Sequence, residues 1–166
     1  MGNLQPTDPK HRKILSPTEA FEKASHYCAY QERSHKEVRN KLYGYGLFGS
    51  QVEDLLTRLI TDGFLNEERF AKAFAGGKFR IKKWGRYKIV RELETHGVTP
   101  RCIQSALKEI DNALYVKTVR GLLAKKMASI QESNSFEKKA RAARFVIGKG
   151  YESELVWETL KELTKK

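Results

Sequence analysis

Apolar residues recur along this chain on a ladder that is repeated three times. Each copy hangs on a glycine, Gly46, Gly97 or Gly150, and these lie about fifty residues apart. Eight residues before the glycine stand Val38, Ile89 and Ala142; four before it stand Leu42, Leu93 and Val146. Six after it come Val52, Ile103 and Val156, ten after Leu56, Leu107 and Leu160, thirteen after Leu59, Ile110 and Leu163. The two preceding offsets share one face of a helix that ends at the glycine, and the three following offsets share one face of a second helix. A residue just past a helix C-terminus commonly needs a positive φ, which glycine adopts without a Cβ penalty. The pattern therefore predicts a helical corner at each glycine. Units of this size hold too little core to stand alone, so a tandem repeat array is expected.

Polar punctuation divides the chain further. Residues 1–15 carry Pro6, Pro9 and charges without periodicity and read as a mobile tail. Three capping boxes follow, Ser16 with Glu19, Ser34 with Glu37 and Ser50 with Glu53, and predict three short helices within residues 16–62. The second unit, 63–110, opens with Asn66 as N-cap of a helix bearing Phe70, Ala71 and Phe74, which Gly76-Gly77 is expected to break or weaken. A helix over about 85–96 and another begun by Thr99-Pro100 complete it. In the third unit, 111–166, a long helix over about 112–130 presents Leu114, Val119, Leu122, Leu123 and Met127, followed by helices near 135–148 and 152–164. Nine helices in three units of three make an all-α fold, an array of three tandem helix-turn-helix-like repeats.

Charge sharpens the picture. The formal net charge is +12, with 31% charged residues, which favours a polyanionic partner: nucleic acid, an acidic protein surface or anionic lipid. From Arg69 to Arg91 every charged residue is basic. Lys78, Arg80, Lys82, Lys83, Arg86, Lys88 and Arg91 are interleaved there with Phe79, Trp84 and Tyr87, as phosphate contact combined with stacking requires. Arg33, Lys36 and Arg39 in the first unit and Lys138 and Arg141 in the third are equivalent basic groups, and stacked units could align them in one strip. The helices after Gly46 and Gly97 carry Glu53, Asp54 and Glu109, unsuited to reading base edges, so any DNA contact is expected to be sequence-independent.

Enzymatic chemistry finds little support. His11, His26, His35 and His96 are scattered without metal spacing; His96 reads as a helix C-cap and His35 as exposed. Cys28 and Cys102 read as buried free thiols. No cofactor or metal is expected. No apolar run reaches the ~20 residues that span a bilayer, and the N-terminus fits neither a secretion signal nor a myristoylation site, so a cytoplasmic monomer is expected.

Several of these residues together resemble the RecX family. Arg33-Ser34, Val38 and Lys41-Leu42 are similar to the family's opening helix. Gly63-Phe64-Leu65-Asn66-Glu67-Glu68-Arg69-Phe70-Ala71 resembles its G-hydrophobic-L-D-D-x-R-F-A stretch, and Gly85, Ile89, Glu92-Leu93 and Gly97-Val98 its G…I…E-L…G-I stretch. Asn66-Glu67 stands where the family commonly has Asp-Asp, Lys83 where it often has glycine, and Arg86 where it often has proline. The resemblance covers about residues 25–163. It implies an elongated, curved array of three three-helix units, and a regulatory protein that lies in the groove of the RecA recombinase filament on single-stranded DNA and limits its activity. A DNA-binding module acting without RecA is the alternative.

Overall fold

The structure, a computed structural model, describes residues 13–165. Nine α-helices make up the regular structure of these residues: α1 Pro17–Tyr30, α2 His35–Gly44, α3 Ser50–Thr61, α4 Glu67–Lys82, α5 Arg86–Thr95, α6 Pro100–Leu107, α7 Asn112–Ser129, α8 Ser135–Gly148 and α9 Ser153–Leu163. The tail expected over residues 1–15 lies outside the described residues except for its end, where the Leu15 N–H donates to the Tyr45 carbonyl at 3.0 Å. The chain divides into two compact bodies, one up to Glu67 and one from Glu68 onward.

The three ladder glycines do what their spacing demands. Gly46, Gly97 and Gly150 have φ of 87°, 74° and 99°. Each sits one residue beyond the C-cap of α2, α5 or α8. The next residue, Leu47, Val98 or Tyr151, is buried in each case, which adds an apolar position that the ladder did not contain. For α2 and α5 the N–H of that residue closes back on the helix, Leu47 to Leu42 and Val98 to Leu93. This is the hydrogen-bond pattern that terminates a helix through a left-handed residue.

In the first body α1, α2 and α3 enclose Ala20, Ala24, Cys28, Val38, Leu42, Val52, Leu55, Leu56 and Leu59, with Leu47 and Leu65 closing the ends. Capping boxes at Ser16 and Ser34 are formed as predicted. The third is not. Gly49, at φ 60°, is the N-cap of α3, and Ser50 is already helical. Glu53 turns instead to Arg39, whose Nε lies 2.8 Å from its carboxylate. His35 is half-buried, contrary to its expected exposure, and its Nε2 is buried without a hydrogen-bond partner.

The second body holds six helices around one continuous apolar cluster running from Phe70 on α4 to Leu160 on α9. Three expectations are corrected here. Helix α4 runs straight through Gly76-Gly77. Gly76 is buried, and a Cβ there would lie 2.7 Å from the Arg80 guanidinium, so the glycine makes room for that side chain. On α7 the core residue is Tyr115, fully buried, while Leu114 is 46% exposed. Ile110 is buried in its ladder role but lies beyond the end of α6, in the turn that leads to α7. His96 is the C-cap of α5, as expected, and also packs edge-on against Phe70 and Phe74.

What joins the second repeat to the third is the start of α5. A helix leaves its first amide groups without intrahelical acceptors. Helix α2 satisfies them locally through Ser34, but the N-cap of α5 is Gly85, which has no side chain to offer. The third repeat supplies the acceptors. The Gly85 N–H donates to the Lys149 carbonyl at 2.8 Å and the Tyr87 N–H to the Gly150 carbonyl at 3.0 Å. The Arg86 N–H donates to the Tyr115 hydroxyl at 3.0 Å, and that hydroxyl donates to Glu152 at 2.6 Å. The Tyr151 hydroxyl donates to the Lys83 carbonyl at 2.9 Å. The approach is so close that a Cβ on Gly85 would overlap the Gly150 carbonyl, and one on Gly150 would overlap the Lys88 backbone.

This junction can be probed in two ways. Gly97 has open space around its Cβ position, so Gly97→Ala should cost only the left-handed penalty of roughly 1–2 kcal/mol. Gly150→Ala should cost distinctly more in the same urea titration, because the Lys88 backbone must also move; equal losses would show that the close approach is relaxed in solution. Burial raises the pKa of both Tyr115 and Tyr151, with the Glu152 carboxylate adding to the effect. The unfolded phenols ionise near pH 10 and the folded ones resist, so stability present below pH 10 is lost as pH rises above it. The loss should approach ~1.4 kcal/mol per pH unit for each tyrosine. Tyr115→Phe should flatten this alkaline limb while lowering stability at neutral pH by about 1–3 kcal/mol.

Candidate nucleic-acid interface

The basic stretch of the second repeat covers the end of α4, the turn after it and the outer side of α5. Lys83 ends α4 in the left-handed conformation, with φ 56°. Its N–H donates to the Phe79 carbonyl and the Trp84 N–H to the Lys78 carbonyl, which folds Trp84 back over the last turns of α4. The Trp84 ring lies edge-on to Phe74, with centroids 6.4 Å apart. It packs partly against the core and is partly exposed. Two ammonium groups flank it, Lys78 Nζ at 5.0 Å and Lys88 Nζ at 4.5 Å from the ring centroid. Each such cation–π interaction contributes about 0.5–1 kcal/mol at an exposed site. The ring thus holds two like charges near each other, an arrangement that favours a bound anion.

Arg80, Lys82, Lys83 and Arg91, in the same stretch of chain, are exposed. Among the described residues no carboxylate forms an ion pair with Lys78, Lys82, Lys83, Lys88 or Arg91. Tyr87, 61% exposed, stands beside Lys88 and Arg91. These residues form one wall of a groove of about 600 Å³, whose other wall is the α8–α9 turn with Ile147, Gly150 and Ser153.

Other basic residues predicted for this surface are differently employed. Arg86 is drawn into the junction: its guanidinium stacks 3.8 Å from the Tyr115 ring centroid and reaches Glu152 at 3.4 Å and Asn112 at 3.2 Å. It holds the two repeats together, so it leaves the candidate surface. Arg33 lies 3.8 Å over the Tyr27 ring and donates to the Tyr27 carbonyl. Arg39 is bonded to Glu53, and its guanidinium holds that carboxyl below the ordinary carboxylate range. Arg141 faces Glu132 at 3.8 Å. Lys36 is exposed on α2 and Lys138 half-buried on α8.

A second aromatic between cations was not foreseen from the sequence. Phe145, 42% exposed on α8, has Lys126 Nζ at 4.4 Å and Lys149 Nζ at 5.6 Å from its ring centroid. Its place just before the ladder residue Val146 was the available signal, since an aromatic beside a core position points off the core face. Among the described residues no group of three His, Cys, Asp or Glu is placed to hold a metal ion. No described helix is long and apolar enough to cross a membrane.

Comparison with known proteins places the chain. Family models for the first, second and third three-helix domains of RecX match residues 20–59, 66–107 and 114–160. The regulatory protein RecX of Prosthecochloris aestuarii is 31% identical over 144 residues, which is 87% of this chain and 93% of that one. That of Pelodictyon phaeoclathratiforme is 30% identical over 133 residues, 79% of this chain and 81% of its own. Against the longer regulatory protein RecX of Halalkalibacterium halodurans identity is 29%, and the match spans 54% of that protein. In fold, the chain is similar to the crystal structure of RecX from Lactobacillus salivarius, with a TM-score of 0.80 at 20% identity over 89% of this chain and 96% of that one. Three domain matches in register with the three glycine-centred repeats, and near-full-length relatives, show that the chain belongs to the RecX family.

Proposed function

We propose that this chain is a cytoplasmic regulatory protein that binds the RecA filament on single-stranded DNA as a monomer and restrains recombinase activity. The observation that carries this reading is the Trp84 ring held between the Lys78 and Lys88 ammonium groups. Lys82, Lys83 and Arg91 are exposed in the same stretch, and among the described residues no carboxylate pairs with any of these five cations. Unpaired cations on a folded surface repel one another, and a polyanion relieves that repulsion while releasing its own counterions. A nucleoprotein filament offers phosphates in a fixed array. Family membership supports RecA as the protein component. The helices after the first and third glycine corners do not favour base reading: Glu53 and Asp54 on α3 and Glu154 and Glu158 on α9 would face phosphates with like charge. The expectation of Glu109 on the helix after Gly97 is corrected, because α6 ends at Leu107 and carries no acid.

ATP hydrolysis by the cognate RecA on single-stranded DNA, with this protein titrated in, tests the reading. Inhibition is expected well below one protein per recombinase. Unchanged hydrolysis, with DNA bound by the protein alone, would assign it to sequence-independent DNA binding without RecA. In the same assay Lys88→Glu with Arg91→Glu should raise the half-inhibiting concentration by about tenfold or more, since two charge-assisted interactions become repulsions. Helicity by circular dichroism should be unchanged, because neither side chain supports the core. Unaltered inhibition would remove this edge from the filament-binding surface.

A further inference from the structure

The Trp84 edge does not end at the second repeat. Lys88, which caps one side of the Trp84 ring, lies with its backbone against Gly150. The residue before Gly150 is Lys149, whose ammonium group stands over Phe145, and the other cation on that ring is Lys126 of α7. Two groups of cation, ring and cation, Lys78–Trp84–Lys88 and Lys149–Phe145–Lys126, are therefore joined where the Lys88 backbone meets Gly150. The series crosses the junction that locks the two repeats into one body, where Lys88 and Gly150 also line the groove bearing Tyr87 and Arg91.

We infer that this series is a track for single-stranded nucleic acid that continues across the junction from the second repeat onto α7 and α8 of the third. Cations spaced by flat rings match a flexible strand, whose phosphates and unstacked bases alternate in the same way. A duplex hides its base faces and would use the cations alone. Glu92 and Glu94 also line the groove; they would keep phosphates toward the Lys88 and Arg91 side. Because Lys149 is fixed by the backbone bonds of the α8–α9 turn to α5, the two halves of the track keep a constant spacing. The inference rests on the polyanion reading of the Trp84 edge but not on RecA.

The test uses the full chain and a dye-labelled oligothymidylate of about 20 nucleotides, long enough for one binding track. Fluorescence anisotropy is measured across a salt series, with the same-length duplex as control. Phe145→Ala should weaken single-strand binding by about fivefold or more and leave duplex binding and the salt slope unchanged. Lys126→Glu with Lys149→Glu should weaken both and make the salt slope shallower by roughly 0.7 for each phosphate that is no longer neutralised. Both variants alter exposed or half-exposed positions, and thermal melting of each confirms that the fold is kept. Wild-type binding by both folded variants, with loss only in Lys78→Glu or Lys88→Glu, would end the track at Trp84. No oligothymidylate binding by the wild-type chain would overturn the track outright. Substoichiometric inhibition of RecA in that same preparation would leave the filament reading standing, so the two failures are separable.

Discussion

Everything in the second body depends on how the first turn of α5 is capped. Three consecutive residues, Gly85, Arg86 and Tyr87, give their N–H groups to the Lys149 carbonyl, the Tyr115 hydroxyl and the Gly150 carbonyl. Without the third repeat these three N–H groups would exchange their protein acceptors for water, and each such exchange forgoes a net contribution of about 0.5–1.5 kcal/mol. The reverse dependence is steric. Gly85 and Gly150 meet backbone to backbone, and neither tolerates a side chain there. The second repeat is thus not an independent unit that happens to touch the third. Its middle helix is completed by it, and the shared cluster from Phe70 to Leu160 follows. The first repeat differs in one decisive respect, since Ser34 and Glu37 cap α2 from within.

This capping also decides which cations are available. Arg86 begins α5 and would otherwise point into solvent with its basic neighbours. The Tyr115 ring beneath it and Glu152 beside it give its guanidinium a stacked and ion-paired seat, and the residue becomes structural. Lys83 performs the opposite service. By taking a left-handed conformation that a residue with a Cβ adopts only at some cost, it turns the chain sharply enough to lay Trp84 between Lys78 and Lys88. The Tyr151 hydroxyl bonded to its carbonyl helps hold that turn. One set of interactions therefore withdraws a cation and arranges two others around a ring.

How much of this was legible in the sequence depends on the range of the interaction. Positive φ at Gly46, Gly97 and Gly150 is a local requirement, repeated in register, and could be read from spacing alone; so could the nine helices and the capping boxes at Ser16 and Ser34. The Ser50 box failed because a second constraint competed for Glu53, namely Arg39 on another helix. Gly76-Gly77 did not break α4 because the cost of helical glycine, about 1 kcal/mol each, is offset by packing that propensity cannot see. Leu114 and Tyr115 exchanged roles for a similar reason: periodicity on a long helix leaves a one-residue ambiguity, and only the Arg86 amide and Glu152 make the tyrosine the inward residue.

The basic surface was legible as composition but not as geometry. A run without acids marks a polyanion-binding segment whichever way its side chains point, and the run from Arg69 to Arg91 was visible on that ground. Which of its members are free is settled by partners far away in sequence, and those partners lie outside the ladder: Glu152 takes Arg86, while among the described residues nothing comparable takes Lys88. Phe145, Lys149 and Lys126 escaped for the complementary reason. Separately they are an aromatic beside a core position and two ordinary lysines. They acquire a common meaning only when the close approach of Gly150 to Lys88 sets the end of α8 next to α5. A glycine read at first as a helix terminator is thereby also the point where two basic surfaces become one, and its second role follows from the missing Cβ as directly as the first.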